Sequence, residues 1–197
     1  SRVSALYNGA FANCTSLEYA DLSNVRFTQG SVYSGCTSLS SVIVNEDTTY
    51  GASMFANTAL TKVDFYGSII PASTFANMSK VEKIVIHNDV ELIGANAFSG
   101  CTKLTEIEWK GTCKEIGESA FKGCTKLESI TLPAGLEKIG DTMFSGCTSL
   151  ETVSLHANSN VQSIGVNLFS GCNALKTVNV AGATSTQHYN VATSEGY

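Results

Sequence analysis

The chain has 197 residues and a mass of 20.8 kDa, which suits one compact domain or one short repeat array. Apolar residues make up 43% and charged residues 15%, so the chain can bury a core and is not a disordered tail. The net charge is −5, from 12 basic and 17 acidic residues, which excludes the basic footprint of a nucleic-acid binder. No apolar run of about 18 residues is present to form a spanning helix. Ser1 opens the sequence without a charged or apolar leader, so any targeting segment is expected to be removed or to lie outside this chain.

In chain order, one pattern returns. An aromatic recurs at Phe11, Tyr33, Phe55, Phe75, Phe98, Phe121, Phe144 and Phe169, at intervals of 22, 22, 20, 23, 23, 23 and 25 residues. A period near 23 falls in the range of leucine-rich repeats. After each aromatic comes a short apolar pattern: Leu17/Ala20/Leu22, Leu39/Val42/Val44, Leu60/Val63/Phe65, Val81/Ile84/Ile86, Leu104/Ile107/Trp109, Leu127/Ile130/Leu132, Leu150/Val153/Leu155 and Leu175/Val178/Val180. The last two apolar positions are two apart and rich in β-branched residues, which predicts a strand with one buried face.

The aromatic segment has another spacing. Ile116, Ala120, Phe121, Cys124 and Leu127 stand four, one, three and three apart, which predicts a short α or 3-10 turn. Two residues after the aromatic stand Gly35, Gly100, Gly123, Gly146 and Gly171, or Asn13, Asn57 and Asn77. These residue types most readily take a left-handed backbone at a helix end. The expected unit is strand, turn, short helical segment, turn. Stacked units bury one continuous core and align their strands in a parallel sheet. At about 4.8 Å per strand, eight repeats give a sheet on the order of 35 Å long. The strands are expected on the concave face and the helical segments on the convex face.

Six of the seven cysteines (Cys14, Cys36, Cys101, Cys124, Cys147, Cys172) stand three residues after the aromatic, where two other repeats carry Thr58 and Met78. Cys113 matches Val90, Leu136 and Val161 of neighbouring repeats. All seven read as small core side chains. Bridges between stacked neighbours are geometrically conceivable, but the odd count argues against complete pairing, and no Cys-x-x-Cys motif points to zinc or redox chemistry.

The run Ile-Gly-x-x-Ala-Phe-x-Gly-Cys-Thr-x-Leu-x-x-Ile-x-Leu-Pro, clearest from Ile116 to Pro133, resembles the BspA-like class of leucine-rich repeats. The resemblance covers residues 3–181 and is strongest from Ile93 to Val180. The early repeats depart from it, with Tyr33 for Phe, Pro71 for Gly and Asn at three capping positions. The resemblance implies an α/β repeat solenoid over 1–181, a right-handed leucine-rich-repeat horseshoe of about eight repeats. Residues 182–197 then form a C-terminal cap or polar tail, with Tyr189 and Val191 able to cover the last layer. It further implies a secreted or cell-surface protein of a host-associated microbe, adhesive rather than enzymatic. No ligand motif is carried over.

A strand-lined face offers outward residues at alternating positions. In the N-terminal half these are Tyr19, Asp21, Ile43, Lys62, Asp64, Tyr66, Lys83, Val85, His87, Glu106, Glu108 and Lys110. Exposed aromatic and β-branched residues among alternating charges supply contact area and orienting groups. The contact surface is therefore expected to centre on Lys62, Asp64, Tyr66, Lys83, Val85 and His87. The competing reading is an ordinary solvated sheet, with Lys83 and Glu106 as a cross-strand ion pair.

Trp109 occupies an inward slot and reads as core. His87 and His156 share a column but lie about 14 Å apart, too far for one metal. No nucleophile elbow, P-loop or metalloprotease motif is present. The expectation is a monomeric, non-enzymatic surface module that binds a host or neighbouring-cell protein or glycan, without cofactor, metal or nucleic acid. The alternative is a structural spacer that presents another domain.

Overall fold

The computed structural model describes residues 3–44 and 47–180. The expected cap or tail at 182–197 lies outside the described residues. Within them, fifteen strands follow in chain order: β1 (Ala5–Leu6), β2 (Tyr19–Leu22), β3 (Phe27–Thr28), β4 (Ser41–Val44), β5 (Lys62–Phe65), β6 (Ile69–Ile70), β7 (Lys83–Ile86), β8 (Val90–Ile93), β9 (Glu106–Trp109), β10 (Cys113–Ile116), β11 (Ser129–Thr131), β12 (Lys138–Ile139), β13 (Thr152–Ser154), β14 (Ser163–Ile164) and β15 (Thr177–Asn179).

The strands form two parallel ladders of a solenoid. The first contains β2, β4, β5, β7, β9, β11, β13 and β15, the eight strands that the apolar pattern predicts. Its register pairs equal slots of successive repeats, as in Val63↔Ile84↔Ile107. The second ladder contains β1, β3, β6, β8, β10, β12 and β14. Sequence reasoning does not anticipate it. It takes residues such as Ile116, whose spacing to Ala120 and Phe121 mimics a helix.

The expected short helical segments are absent from the described residues. The hydrogen bonds give the reason. The N–H groups of Ser119, Phe121 and Gly123 reach the carbonyls of Asp141, Met143 and Ser145 in the next turn. The intervening Lys122 and Cys124 close tight turns on the carbonyls of Ser119 and Phe121. Every second N–H thus serves a neighbouring repeat, and no i→i−4 ladder can form. The segment is a run of β-turns with two left-handed residues per repeat. One stands two after the aromatic, as the Gly/Asn choice foretells, with φ between 58° and 76° at all eight positions. The other stands two before it, at Gly9, Ser31, Ser53, Ser73, Asn96, Ser119, Thr142 and Asn167. Space adds to backbone at Gly35 and Gly100, where a Cβ would lie 2.3 Å and 2.4 Å from the amide oxygens of Asn13 and Asn77.

The aromatics stack in one column through the core. Successive ring centroids lie between 5.3 and 6.0 Å apart, with interplanar angles of 2–15°. Beside them runs a column of thiols. Cys36, Cys101, Cys124, Cys147 and Cys172 each donate S–H to the carbonyl of an aromatic from the preceding turn, at 3.0–3.4 Å. All seven cysteines are thiols, and burial pushes Cys101 and Cys113 up to about 12. Cys14 is exposed, unlike the rest, because no described turn packs against it from the N-terminal side.

The first ladder is not continuous. It falls into β2–β4, β5–β7–β9 and β11–β13–β15, and the second into β1–β3 and β6–β8–β10–β12–β14. Both breaks in the first ladder coincide with an oversized aromatic at an inward slot. Tyr50 stands five before Phe55, where later repeats carry Ile70, Ile93, Ile116, Ile139 and Ile164. Its ring packs on Phe65 at 5.0 Å, so two aromatics meet between β4 and β5 where other layers pair aliphatic side chains. Trp109 stands where Leu132 and Leu155 stand later. The carbonyls of Ser154 and Asn179 accept the backbone N–H of Leu132 and Leu155, whereas their counterpart, the Thr131 carbonyl, accepts the Trp109 indole N–H at 3.1 Å. The indole occupies a ladder acceptor, and β9 and β11 stay unpaired.

Candidate binding face

The outward residues of β5, β7 and β9 lie in three adjacent columns. Register places Lys62, Lys83 and Glu106 side by side, and likewise Asp64, Val85 and Glu108. The sheet thereby brings together the centre of the predicted surface. Lys83 Nζ lies 2.6 Å from Glu106 and 3.0 Å from Glu108, so the expected Lys83–Glu106 pair forms and extends diagonally. Lys62 Nζ lies 2.7 Å from Asp64, and His87 Nε2 lies 2.8 Å from the other Asp64 oxygen. Lys110 pairs with Glu108. Tyr66 and His87 stack face to face with centroids 4.2 Å apart, continuing the row beyond the strand ends.

Val85 corrects the expectation. It is 3% exposed rather than an open β-branched contact. It sits in the middle strand between Asp64 and Glu108, and two diagonal pairs flank it, Lys83 to Glu108 and His87 to Asp64. The long charged side chains cover the valine with their stems while their heads stay in water. Ile43 and Tyr19, at 48% and 49% exposure on β4 and β2, do present apolar surface.

The electrostatics follow from this pairing. Partial burial pushes the Asp64 carboxyl up, but hydrogen bonds from His87 and Lys62 outweigh it and hold it below the ordinary carboxylate range. Hydrogen bonds from Lys110 and Lys83 hold Glu108 at about 2, and the bonds that Lys83 donates to Glu106 and Glu108 push Lys83 up. Three lysines balance three carboxylates, so the patch is ordered, charged in detail and neutral in sum. Solvent screens such exposed pairs, and they contribute little to stability. They orient an incoming group more than they hold it.

Two features escape sequence reasoning: the clefts at the ladder breaks. One, of about 440 Å³, lies between β9 and β11 and is lined by Trp109, Pro133 and His156, so Trp109 is only partly core. The other, of about 220 Å³, lies between β4 and β5. Their signal is a large aromatic in a slot that is otherwise aliphatic. Among the described residues, no three His, Cys, Asp or Glu side chains converge on a metal-binding geometry. No helix among them is long and apolar enough to cross a membrane.

These features define a class: a parallel solenoid of short repeats, carried by stacked aromatics and presenting one long strand-lined face. The family follows from the repeat itself. The model of the BspA type leucine rich repeat region matches residues 1–70 and 68–192 in six copies, and the chain belongs to that family. No curated protein matches the chain. Solved structures do. A leucine-rich repeat protein from Bacteroides ovatus is 28% identical with a TM-score of 0.66, over 89% of this chain and 52% of that one. The T. pallidum leucine rich repeat protein is 25% identical with a TM-score of 0.57, over 88% of this chain and 72% of that one. The pneumococcal vaccine antigen PcpA shares the fold at 16% identity and a TM-score of 0.51, over 92% and 62%. The chain thus spans about half the length of the Bacteroides ovatus protein.

Proposed function

We propose that this chain is a non-enzymatic binding module, secreted or held at a cell surface, that engages a protein or glycan of a host or neighbouring cell through the first-ladder face. The observation that carries the reading is the ordered patch on β5, β7 and β9, where ion pairs fix Lys62, Asp64, Lys83, His87, Glu106, Glu108 and Lys110 around a stacked Tyr66. A pre-ordered surface loses little conformational freedom on binding. Tyr19 and Ile43 extend it with exposed apolar area on β2 and β4, and Asp21 adds a carboxylate beside Ile43. Membership of a family common among surface proteins supports the location.

One observation favours a spacer instead: the patch satisfies its own charges. The test is surface binding of the chain to matrix proteins, mucins and glycans, beside an Asp64→Ala/Tyr66→Ala variant of intact fold. Saturable binding that the variant loses supports the module. Binding to none of the panel supports the spacer.

A further inference from the structure

The break between β9 and β11 leaves two strand edges facing each other. Almost throughout, their Cα atoms lie more than 8 Å apart, whereas the paired strands β7 and β9, or β11 and β13, run within that distance. Neighbouring strands of a ladder stand about 4.8 Å apart, so two spacings, with room for one strand between, need about 9.6 Å. Beside the break the second ladder stays joined through β8, β10 and β12, and Phe98 and Phe121 still stack at 5.4 Å. The solenoid therefore fans open here on the first-ladder face alone. The opening is the cleft of about 440 Å³, within the range of about 300–1,000 Å³ typical of ligand sites.

The edges themselves are the second observation. In the paired layers, N–H groups and carbonyls of successive strands bond across, as between β11 and β13. At the break the N–H groups of Ile107, Ser129 and Thr131 and the carbonyls of Thr105 and Ile107 have no such partner among the described residues, and all of these residues line the cleft. One acceptor is already taken by a group from outside the ladder. The Trp109 indole N–H reaches the Thr131 carbonyl at 3.1 Å and closes the far end. The carboxylate that lines the cleft, Glu106, is engaged by Lys83 at 2.6 Å. What stays open is a neutral slot about three residues long, whose two walls alternate donors and acceptors at the strand repeat.

We propose that the gap between β9 and β11 takes up an extended peptide segment of a partner protein, which pairs with both edges as an added strand of the first ladder. An extended backbone matches the walls on each count. It presents N–H and C=O groups alternately to both sides, it sits one ladder spacing from each edge, and it is neutral. Main-chain pairing to an open strand edge supplies the affinity, and side chains only tune it. A sugar ring offers no donors and acceptors at the strand period. The proposal rests on the reading of the first-ladder face as the contact surface and gives its partner a form.

The probe is a capped hexapeptide with the sequence of residues 150–155, Leu-Glu-Thr-Val-Ser-Leu, which contains the strand that β11 accepts on its other side. Added to the ¹⁵N-labelled chain, it should shift the amides of Ile107, Ser129 and Thr131 saturably and slow their hydrogen exchange. The same peptide N-methylated at alternate residues lacks the N–H groups for one edge and should bind at least about tenfold more weakly. Trp109→Leu removes the indole from between the strands and should let the ladder close and exclude the peptide. Ser129→Pro removes one edge N–H at the first residue of β11, where proline is tolerated, and should weaken binding about tenfold. No saturable shift at the three amides overturns the proposal, as does equal affinity for the N-methylated peptide or unchanged affinity in both variants. Slow exchange of those amides in the free chain also overturns it, because the gap is then already filled or closed. A panel partner that Asp64→Ala/Tyr66→Ala loses, with the peptide silent, overturns the gap site and leaves the face reading intact. Peptide held in the gap while the panel yields no partner supports the gap site and counts against the patch.

Discussion

Replacing Trp109 with leucine should close the first ladder between β9 and β11. Leucine is what Leu22, Leu132 and Leu155 supply at the same slot. Two losses oppose three gains. The variant loses the indole bond to Thr131, about 1 kcal/mol. It also loses part of a half-buried ring, about 1–2 kcal/mol on the scale where full truncation of a buried Trp costs about 3–5. In the intact ladder, the N–H groups of Glu151 and Thr152 both reach the Glu128 carbonyl, at 2.8 and 3.3 Å. The equivalent bonds from Glu128 and Ser129 to the Thr105 carbonyl are missing at the break. Restoring both, together with the bond from the backbone N–H at position 109 to the Thr131 carbonyl that the indole now occupies, gains about 3 kcal/mol. Global stability should therefore change by no more than about 1 kcal/mol, while exchange of the Glu128 and Ser129 amides slows about fivefold or more. Native-state hydrogen exchange reads both quantities. Unchanged exchange at those amides, together with a global loss of about 3 kcal/mol, would refute the claim that the indole holds the strands apart.

Four further outcomes are expected. Tyr50→Phe removes an unpaired buried hydroxyl and should stabilise the chain by about 1 kcal/mol in urea unfolding, whereas destabilisation would mean that the hydroxyl is paired in solution. Phe121→Ala, fully buried between two rings at 5.4 and 5.9 Å, should cost about 4–5 kcal/mol, and Phe11→Ala, 40% exposed with one ring neighbour, about 1–2; equal costs would contradict a column of nearest-neighbour contacts. The Glu108 carboxyl is held at about 2, below its ordinary 4.5, so its contribution is complete above pH 4.5 and is lost as pH falls toward 2; exchange on β9 should quicken in that window, and Glu108→Gln should flatten the response. A thiol reagent should modify Cys14 alone in the native chain and all seven cysteines after unfolding, because Cys14 is exposed and burial raises Cys101, Cys113 and Cys172 to about 12, 12 and 11.

The eight strands of the first ladder were legible because their inward slots recur every repeat, as Ile84, Ile107, Ile130 and Val153 do. The left-handed residue after each aromatic was legible because glycine and asparagine mark it. Its counterpart before the aromatic was not, because Ser31, Ser119 and Thr142 take positive φ there without being residues that prefer it. The second ladder was misread for a geometric reason. A short strand, β10, followed by tight turns leaves Ile116, Ala120 and Phe121 at intervals that also fit a helix, and only the hydrogen bonds to the next repeat separate the two. On the candidate face, the Lys83–Glu106 pair follows from column adjacency, but the burial of Val85 does not. Alternation marks it as outward, and its cover comes from diagonal pairs that no single strand reveals.

The most direct measurement is an amide footprint of the ¹⁵N-labelled chain with a partner retained from the binding panel. The account predicts perturbations confined to outward residues of the first ladder, strongest at Lys62, Asp64, Tyr66, Lys83 and His87, with the β-turn side silent. A footprint on the aromatic turns or along β8, β10 and β12 would contradict it.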